Sequence, residues 1–276
     1  MLATDFYPSK KPESEKPVLV FLHGLLGSGD DWKEVLDLLE EYNRVTIDLP
    51  GHGKSKDIGS VGFDSVLGQV SEAVEKQLLN AGLDKSVPVV LIGYSLGARL
   101  LIYGLVHHSF DDLNVDNVLL EGGNFGLKSD TEKQQRLAND QRWAKRFAEE
   151  KMEQVLNDWY LQPVFSSLTS DQRQNLVKVR AKNTGSRIAE IMLSTSLAKQ
   201  PYLLDKLKSI NVPLHYICGE KDKKFFELAE QSRLSYSAVK GAGHNVHKEA
   251  PEPFAKLVRD QLGEATPTIL ERTNLE

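Results

Sequence analysis

Three short stretches of this chain carry residue types able to do proton-transfer or nucleophilic chemistry. The first is Gly93-Tyr94-Ser95-Leu96-Gly97, set between an apolar run, Val87–Ile92, and a helix-like run, Ala98–Leu105. A serine at a tight strand-to-helix turn needs glycines around it because neighbouring Cβ atoms would collide, and the turn leaves its hydroxyl exposed. The N-terminus of the following helix favours negative charge developing beside it. The competing reading is a plain helix start with Ser95 as its cap. The second stretch, Gly241-Ala242-Gly243-His244, supplies the base that a serine needs, in a glycine-rich loop before a helix opened by Pro251 and Pro253. His247 is the competing histidine, with a supporting or surface role as its alternative. The third, Gly219-Glu220-Lys221-Asp222, directly follows the apolar run Leu214–Cys218. Asp222 is the expected acid and Glu220 the alternative. The acid would hold one imidazole nitrogen so that the other faces Ser95, and would stabilise the imidazolium.

Groups so far apart in sequence need a scaffold to bring them together. Apolar runs bounded by turn residues occur at Val18–Leu22, Val45–Asp48, Val87–Ile92, Val118–Leu120 and Leu214–Cys218. Such runs fit strands buried on both faces of a parallel sheet. Between them, Trp32, Val35, Leu36 and Leu39 fall on one helix face, and Val66, Val70, Val74 and Leu78 on another. The alternation predicts an α/β fold, a mostly parallel sheet covered by helices. Residues 124–207 break the rhythm: charged and amide residues dominate TEKQQRLANDQRWAKRFAEEKMEQ and SDQRQNLVKVRAKN, with patchy helical spacing at Trp143, Phe147 and Leu156. A segment this long is better read as a helical subdomain than as a structureless loop. Residues 1–123 and 208–276 are therefore expected to form the core, and 124–207 an inserted helical lid. The polar tail after Gly263 is expected to be disordered.

A serine at a strand-to-helix turn, followed in order by an acid and a histidine, defines the α/β-hydrolase fold. In that fold the loop after an early strand, here His23-Gly24-Leu25, lends one backbone N–H to an oxyanion hole, and the residue after the nucleophile lends the other. Leu25 and Leu96 take these roles, and His23 packs the loop. Arg99 lies one turn beyond Ser95 on the same helix face. A cation there is costly to bury unless something negative meets it: a structural carboxylate on one reading, a substrate carboxylate on the other. Other patterns fail. Gly53-Lys54-Ser55 resembles the end of a phosphate-binding loop, but Asp48 stands where its first glycine should be. Gly24-Leu25-Leu26-Gly27-Ser28-Gly29 has the wrong spacing for a dinucleotide loop. His244 and His247 have no third ligand at a plausible spacing, so no metal is expected.

Composition narrows the class. The 276 residues are 40% hydrophobic and 26% charged, as in ordinary globular proteins, and can build a core without disulfides or metal. The formal net charge of −5 lacks the basic field of a nucleic-acid binder and gives no pull toward a membrane surface. The single cysteine, Cys218, allows no intrachain disulfide and is expected to be a buried, inert thiol. No apolar run approaches the ~20 residues of a membrane span, and the polar start of the chain lacks the apolar centre of a secretory signal. A cytoplasmic enzyme is expected.

The segments HGLLGSGDDW, DLPGHGKS, GYSLGARL, EGGNFGL, WYLQPVF and GAGHNVHKE, in this order from Val18 to about Leu262, resemble a specific family. It is the family of synthases of menaquinone biosynthesis that make 2-succinyl-6-hydroxy-2,4-cyclohexadiene-1-carboxylate. The serine turn and DLPGHG are shared across α/β-hydrolases; Arg99, the EGG-x-x-G-L run and WYLQPVF are more specific. The resemblance implies a lyase that removes pyruvate from 2-succinyl-5-enolpyruvyl-6-hydroxy-3-cyclohexene-1-carboxylate. Ser95, with His244 and Asp222, would abstract a ring proton rather than attack a carbonyl. It also implies that Tyr94, Arg99, Arg136, Trp159 and Arg180 bind the substrate, and several guanidinium groups suit a small molecule with three carboxylates. No cofactor, nucleic acid, membrane or obligatory protein partner is expected. One rival is a hydrolase of an ester or carbon–carbon bond that forms an acyl-enzyme on Ser95. Another is a non-catalytic ligand receptor, which would have no need of the base.

Overall fold

The computed structural model describes residues 1–11 and 16–263; the tail after Gly263 lies outside them. Among the described residues one sheet contains β1 (Thr4–Tyr7), β2 (Val18–Leu22), β3 (Asn43–Ile47), β4 (Val89–Tyr94), β5 (Val115–Glu121), β6 (Leu214–Gly219) and β7 (Tyr236–Val239), in the order β1-β3-β2-β4-β5-β6-β7. Only β1 runs antiparallel, against β3; the other neighbours are parallel. The continuous apolar character of β2 follows from burial on both sides. Val18, Val20 and Leu22 pack with one hydrophobic cluster, and Leu19 and Phe21 with another. β1 and β7 escape the apolar-run pattern because each has four residues, of which only Val239 is buried.

The helices are α1 (Lys33–Leu38), α2 (Phe63–Asn80), α3 (Leu96–Val106), α4 (Asp130–Glu149), α5 (Met152–Trp159), α6 (Ser170–Arg180), α7 (Gly185–Ser194), α8 (Leu204–Leu207), α9 (Lys223–Ser232), α10 (Val246–Glu249) and α11 (Pro251–Gln261). Residues of α1 and α11 cover the Leu19 and Phe21 face, while α2, α3 and α9 cover the other. Cys218 is buried, and burial pushes its thiol up to about 12, so it stays protonated and inert. No helix among the described residues is long and apolar enough to cross a membrane.

Between β5 and β6 the chain passes through α4 to α8 with no strand. Two of these helices, α4 and α6, start on strong caps. The Ser129 hydroxyl accepts from Glu132 N while the Glu132 carboxylate accepts from Ser129 N, and Thr169 and Gln172 repeat the arrangement for α6. Their own cluster holds them, with Phe147, Leu156, Tyr160, Ile188 and Met192 buried around Leu26 from the loop after β2. The ends of the insertion behave differently: Phe125, Leu203, Leu204 and Leu207 pack into the core of the sheet. Because β4, β5 and β6 are parallel, their carboxyl ends share one edge, and the insertion lies beside that edge.

Candidate active site

β4 passes into α3 through Ser95, which takes φ 50° and ψ −102°, a conformation costly for any residue with a Cβ. The flanking glycines permit the turn. A Cβ on Gly93 would lie 2.7 Å from Ala98 N, and one on Gly97 would lie 2.3 Å from the Leu22 carbonyl oxygen. The Ser95 amide donates to Glu121 O at 2.8 Å, which ties the turn to the end of β5. The Ser95 side chain makes no capping hydrogen bond to α3. It instead lines a cavity of about 400 Å³ that His244 also lines.

His244 donates Nδ1–H to Asp222 Oδ2 at 2.6 Å, with both side chains 6% exposed. This bond leaves Nε2 as the basic nitrogen. The ring sits between Tyr94 and Phe225, at 5.3 and 4.7 Å between centroids. Gly122, at φ 59°, makes room for it, since a Cβ there would lie 2.8 Å from His244 Cε1. Asp222 caps α9, accepting from Phe225 N with its other oxygen. Glu220, the alternative acid, is exposed and accepts from Gly241 N at 3.0 Å, so it braces the histidine loop from outside. His247 is buried and does not line the cavity. Its backbone N–H and its Nδ1 both bond Glu121, the latter at 2.8 Å, and its ring stacks on Trp32 at 4.2 Å.

Leu25 and Leu96 both line the cavity, and neither backbone N–H has a hydrogen-bond partner among the described residues. Two histidines fix the loop that carries Leu25. His23 donates Nδ1–H to Gly24 O at 2.7 Å and accepts from Leu49 N at 3.0 Å. His52 donates Nδ1–H to Pro50 O at 2.9 Å and accepts from Leu26 N at 2.9 Å, which holds Leu26 at φ 70°. Each acceptor nitrogen must be unprotonated. Burial depresses the His23 pKa to about 4; burial and the neighbouring His23 depress that of His52 to about 3. The packing role expected of His23 is thus shared with His52, which no motif singled out.

The expected substrate-binding residues all line the same cavity, but their partners differ. Arg99 donates Nε–H to Gln200 Oε1 at 2.8 Å and an Nη2 hydrogen to Thr195 O at 2.7 Å, so both partners are neutral oxygens. The structural carboxylate considered for it is not there. Burial lowers its pKa to about 9, with the Arg136 charge adding to the effect and Asp140 opposing it. Arg136 donates to Asp140 Oδ1 at 2.7 Å, and the other Asp140 oxygen accepts from Ser196 Oγ at 2.7 Å. Arg180 bonds both oxygens of Asp31 at 2.6 Å, with side chains 10% and 11% exposed. Burial works to raise the Asp31 pKa, but the Arg180 charge and hydrogen bonds, with smaller help from His247 and His23, together outweigh it and hold the carboxyl below its ordinary value. The two insertion arginines therefore already carry carboxylate partners. Tyr94 packs against His244, and Trp159 stands edge-on to Trp143 at 5.0 Å. Asp31, Asp140, Gln200 and Lys224 also line or support the cavity and were not foreseen. Only the Arg136–Asp140 pair had a visible signal, its four-residue helix spacing.

A strained serine at a strand end, a histidine bonded to a carboxylate, and two unpaired amides define a class. The chain matches the model of the alpha/beta hydrolase family over residues 19–257 and belongs to that family. The 2-succinyl-6-hydroxy-2,4-cyclohexadiene-1-carboxylate synthases of Yersinia pseudotuberculosis serotype O:3 and Yersinia pestis (strain Pestoides F) are each 42% identical over 272 residues, covering 95% of this chain and 96% of the relative. The solved structure of MenH from S. aureus matches with a TM-score of 0.83 at 26% identity, covering 94% of this chain and 97% of that one. Within the α/β-hydrolases, the chain belongs with these synthases.

Proposed function

We propose that this chain is a lyase that eliminates pyruvate from 2-succinyl-5-enolpyruvyl-6-hydroxy-3-cyclohexene-1-carboxylate, giving 2-succinyl-6-hydroxy-2,4-cyclohexadiene-1-carboxylate. The reaction comes from the relatives. The observation that carries it to this chain is Arg99, a guanidinium beside Ser95 whose partners are neutral, so that an arriving carboxylate would be its counter-ion. His244 Nε2 takes the Ser95 hydroxyl proton as the serine oxygen takes a proton from the ring. The electrons of that C–H bond form the new ring double bond, and the C–O bond to the enolpyruvyl group breaks. The departing enolate takes the proton held by His244 and leaves as pyruvate. Asp222 keeps Nε2 turned toward Ser95 and stabilises the transient imidazolium. The Leu25 and Leu96 amides stabilise the charge that spreads from the ring. We place the reaction in the cytoplasm, on a small polycarboxylate, with no cofactor or obligatory protein partner.

The test is an assay that follows conjugated-diene absorbance and pyruvate together. Both should rise in equal amounts, with no mass added to Ser95. An acyl group trapped on Ser95, or hydrolysis without pyruvate, would make the chain a hydrolase.

A further inference from the structure

The charges lining the cavity do not balance. Four cations line it, Arg99, Arg136, Arg180 and Lys224, but only two carboxylates, Asp31 and Asp140. Each carboxylate is committed, Asp31 to Arg180 and Asp140 to Arg136. That leaves Arg99 and Lys224 as cations with no carboxylate partner among the described residues. They sit on different elements, Arg99 on α3 and Lys224 on α9.

Lys224 is placed against its own helix. It lies in the first turn of α9, so its charge opposes the helix dipole, and the one carboxylate at that end, the cap Asp222, is bonded to His244 and to Phe225 N. Its Nζ lies over the Phe225 ring, 5.3 Å from the centroid, and that ring packs on His244 at 4.7 Å. Lys224 is exposed at the mouth of the cavity, and partial desolvation with the Arg136 charge lowers its pKa, while Asp222 opposes this. A cation in the first turn of a helix, sharing a cavity with another cation that has no carboxylate partner, is stabilised once an anion enters that cavity.

We propose that Lys224 is a specificity-determining residue whose ammonium receives a carboxylate of the substrate at the rim of the cavity, while Arg99 receives another on the α3 side. These two cations then match the polyanionic character of the substrate without dismantling the Arg136 and Arg180 pairs. This rests on the lyase reading given above for the identity of the substrate, and on the cavity alone for its charge.

The test measures kcat and KM for pyruvate release in Lys224→Ala, Lys224→Gln and Lys224→Arg, with Lys223→Ala as the control. Lys223 is exposed and does not line the cavity. Lys224→Ala and Lys224→Gln should raise KM by about three- to thirtyfold with kcat within about twofold, as expected for a partly screened charged contact. Lys224→Arg should return to within about threefold of the parent, and Lys223→Ala should match it. Raising the salt concentration should narrow the gap between Lys224→Gln and the parent. An unchanged KM in Lys224→Gln would overturn the proposal, as would a fall in kcat alone or an equal effect in Lys223→Ala. Calorimetric binding of tricarballylate, a simple tricarboxylate, separates this from the reaction. If the parent makes no pyruvate yet binds tricarballylate more tightly than Lys224→Gln, the lyase reading falls and Lys224 stands. If the two bind it equally, Lys224 falls.

Discussion

The sheet edge and the helical insertion build the two sides of one cavity with different forces. At the sheet edge the functional groups are held by backbone constraint and short hydrogen bonds, one of them from His244 to the Asp222 carboxylate. Ser95 is strained between β4 and α3, its amide is tied to Glu121 O, and the loop of Leu25 is locked by two neutral histidines. In the insertion the working groups are held by charge, Arg136 by Asp140 and Arg180 by Asp31. α4 also buries Ala144 and Phe147 in the insertion's own hydrophobic cluster. The Asp31–Arg180 pair, with Asn183 donating to Leu26 O at 2.9 Å, also fastens the insertion to the loop after β2. Rigid backbone suits groups that must move a proton over a short distance, and paired charge suits groups that must meet an anion. Losses at the sheet edge should therefore appear in turnover, and losses in the insertion in stability and affinity.

The largest effect should fall on the sheet side. Ser95→Ala and Asp222→Asn should each lower kcat by on the order of 10³- to 10⁴-fold while urea unfolding stays near the parent. An Asp222→Asn protein that kept more than a tenth of its kcat would show that the sheet edge does not orient His244 as its geometry indicates. Acid should distinguish the two sides next. His23 and His52 titrate at about 4 and about 3 in the folded chain, but near ~6.5 once unfolded. The unfolded chain therefore binds protons first, and stability present above ~6.5 is lost as pH falls toward the folded values. By pH 5 the two sites should together remove roughly 4 kcal/mol. Asp31, held below its ordinary value by Arg180, stays ionised through that window. Urea melts from pH 7 to 5 measure this, and a flat profile would show that the two histidines are not kept neutral.

Two arginines sharpen the contrast further. Arg180→Ala strands the Asp31 carboxylate in a buried site, which should cost about 3–5 kcal/mol of stability in urea melts. Arg99→Ala strands no carboxylate, so its stability change should be small. Its kcat/KM should instead fall by roughly ten- to a hundredfold, the loss of one charge-assisted contact to the substrate. A stable Arg180→Ala together with a destabilised Arg99→Ala would reverse the assignment of roles.

What could be read in advance follows the same division. Ser95 and His244 were legible because tight turns demand glycines, and Gly93, Gly97, Gly122 and Gly243 are there for steric reasons. The inner strands were legible because burial on both faces leaves a continuous apolar run. Asp222 was the expected acid, but Glu220 stayed open as the alternative because both follow β6, and what distinguishes them is the cap of α9, which places Asp222 against His244. His52 was missed because its role lies in a bond to Leu26 N across the loop. Arg136 and Arg180 were visible as arginines, but the Arg180–Asp31 bond spans 149 residues, and no local spacing encodes it.

The smallest effect is expected at Glu220, and it tests the sheet side most finely. Its carboxylate is exposed and accepts one bond, from Gly241 N at 3.0 Å, three residues before His244. Glu220→Gln keeps an amide oxygen in place of the acceptor, so the change amounts to one charge in a position where water and salt already screen it. Both kcat and KM should stay within about twofold of the parent. Glu220→Ala removes the acceptor as well, but water can reach Gly241 N, so kcat should fall by less than about fivefold. The ratio of the two variants separates charge from hydrogen bonding in the histidine loop, and Asp222→Asn provides the scale. If Glu220→Gln lost activity on the scale of Asp222→Asn, the imidazole would be taking its orientation from the exposed loop. The buried cap of α9 would then lose its role, and His244 would take its orientation from an exposed carboxylate rather than from the buried one it bonds.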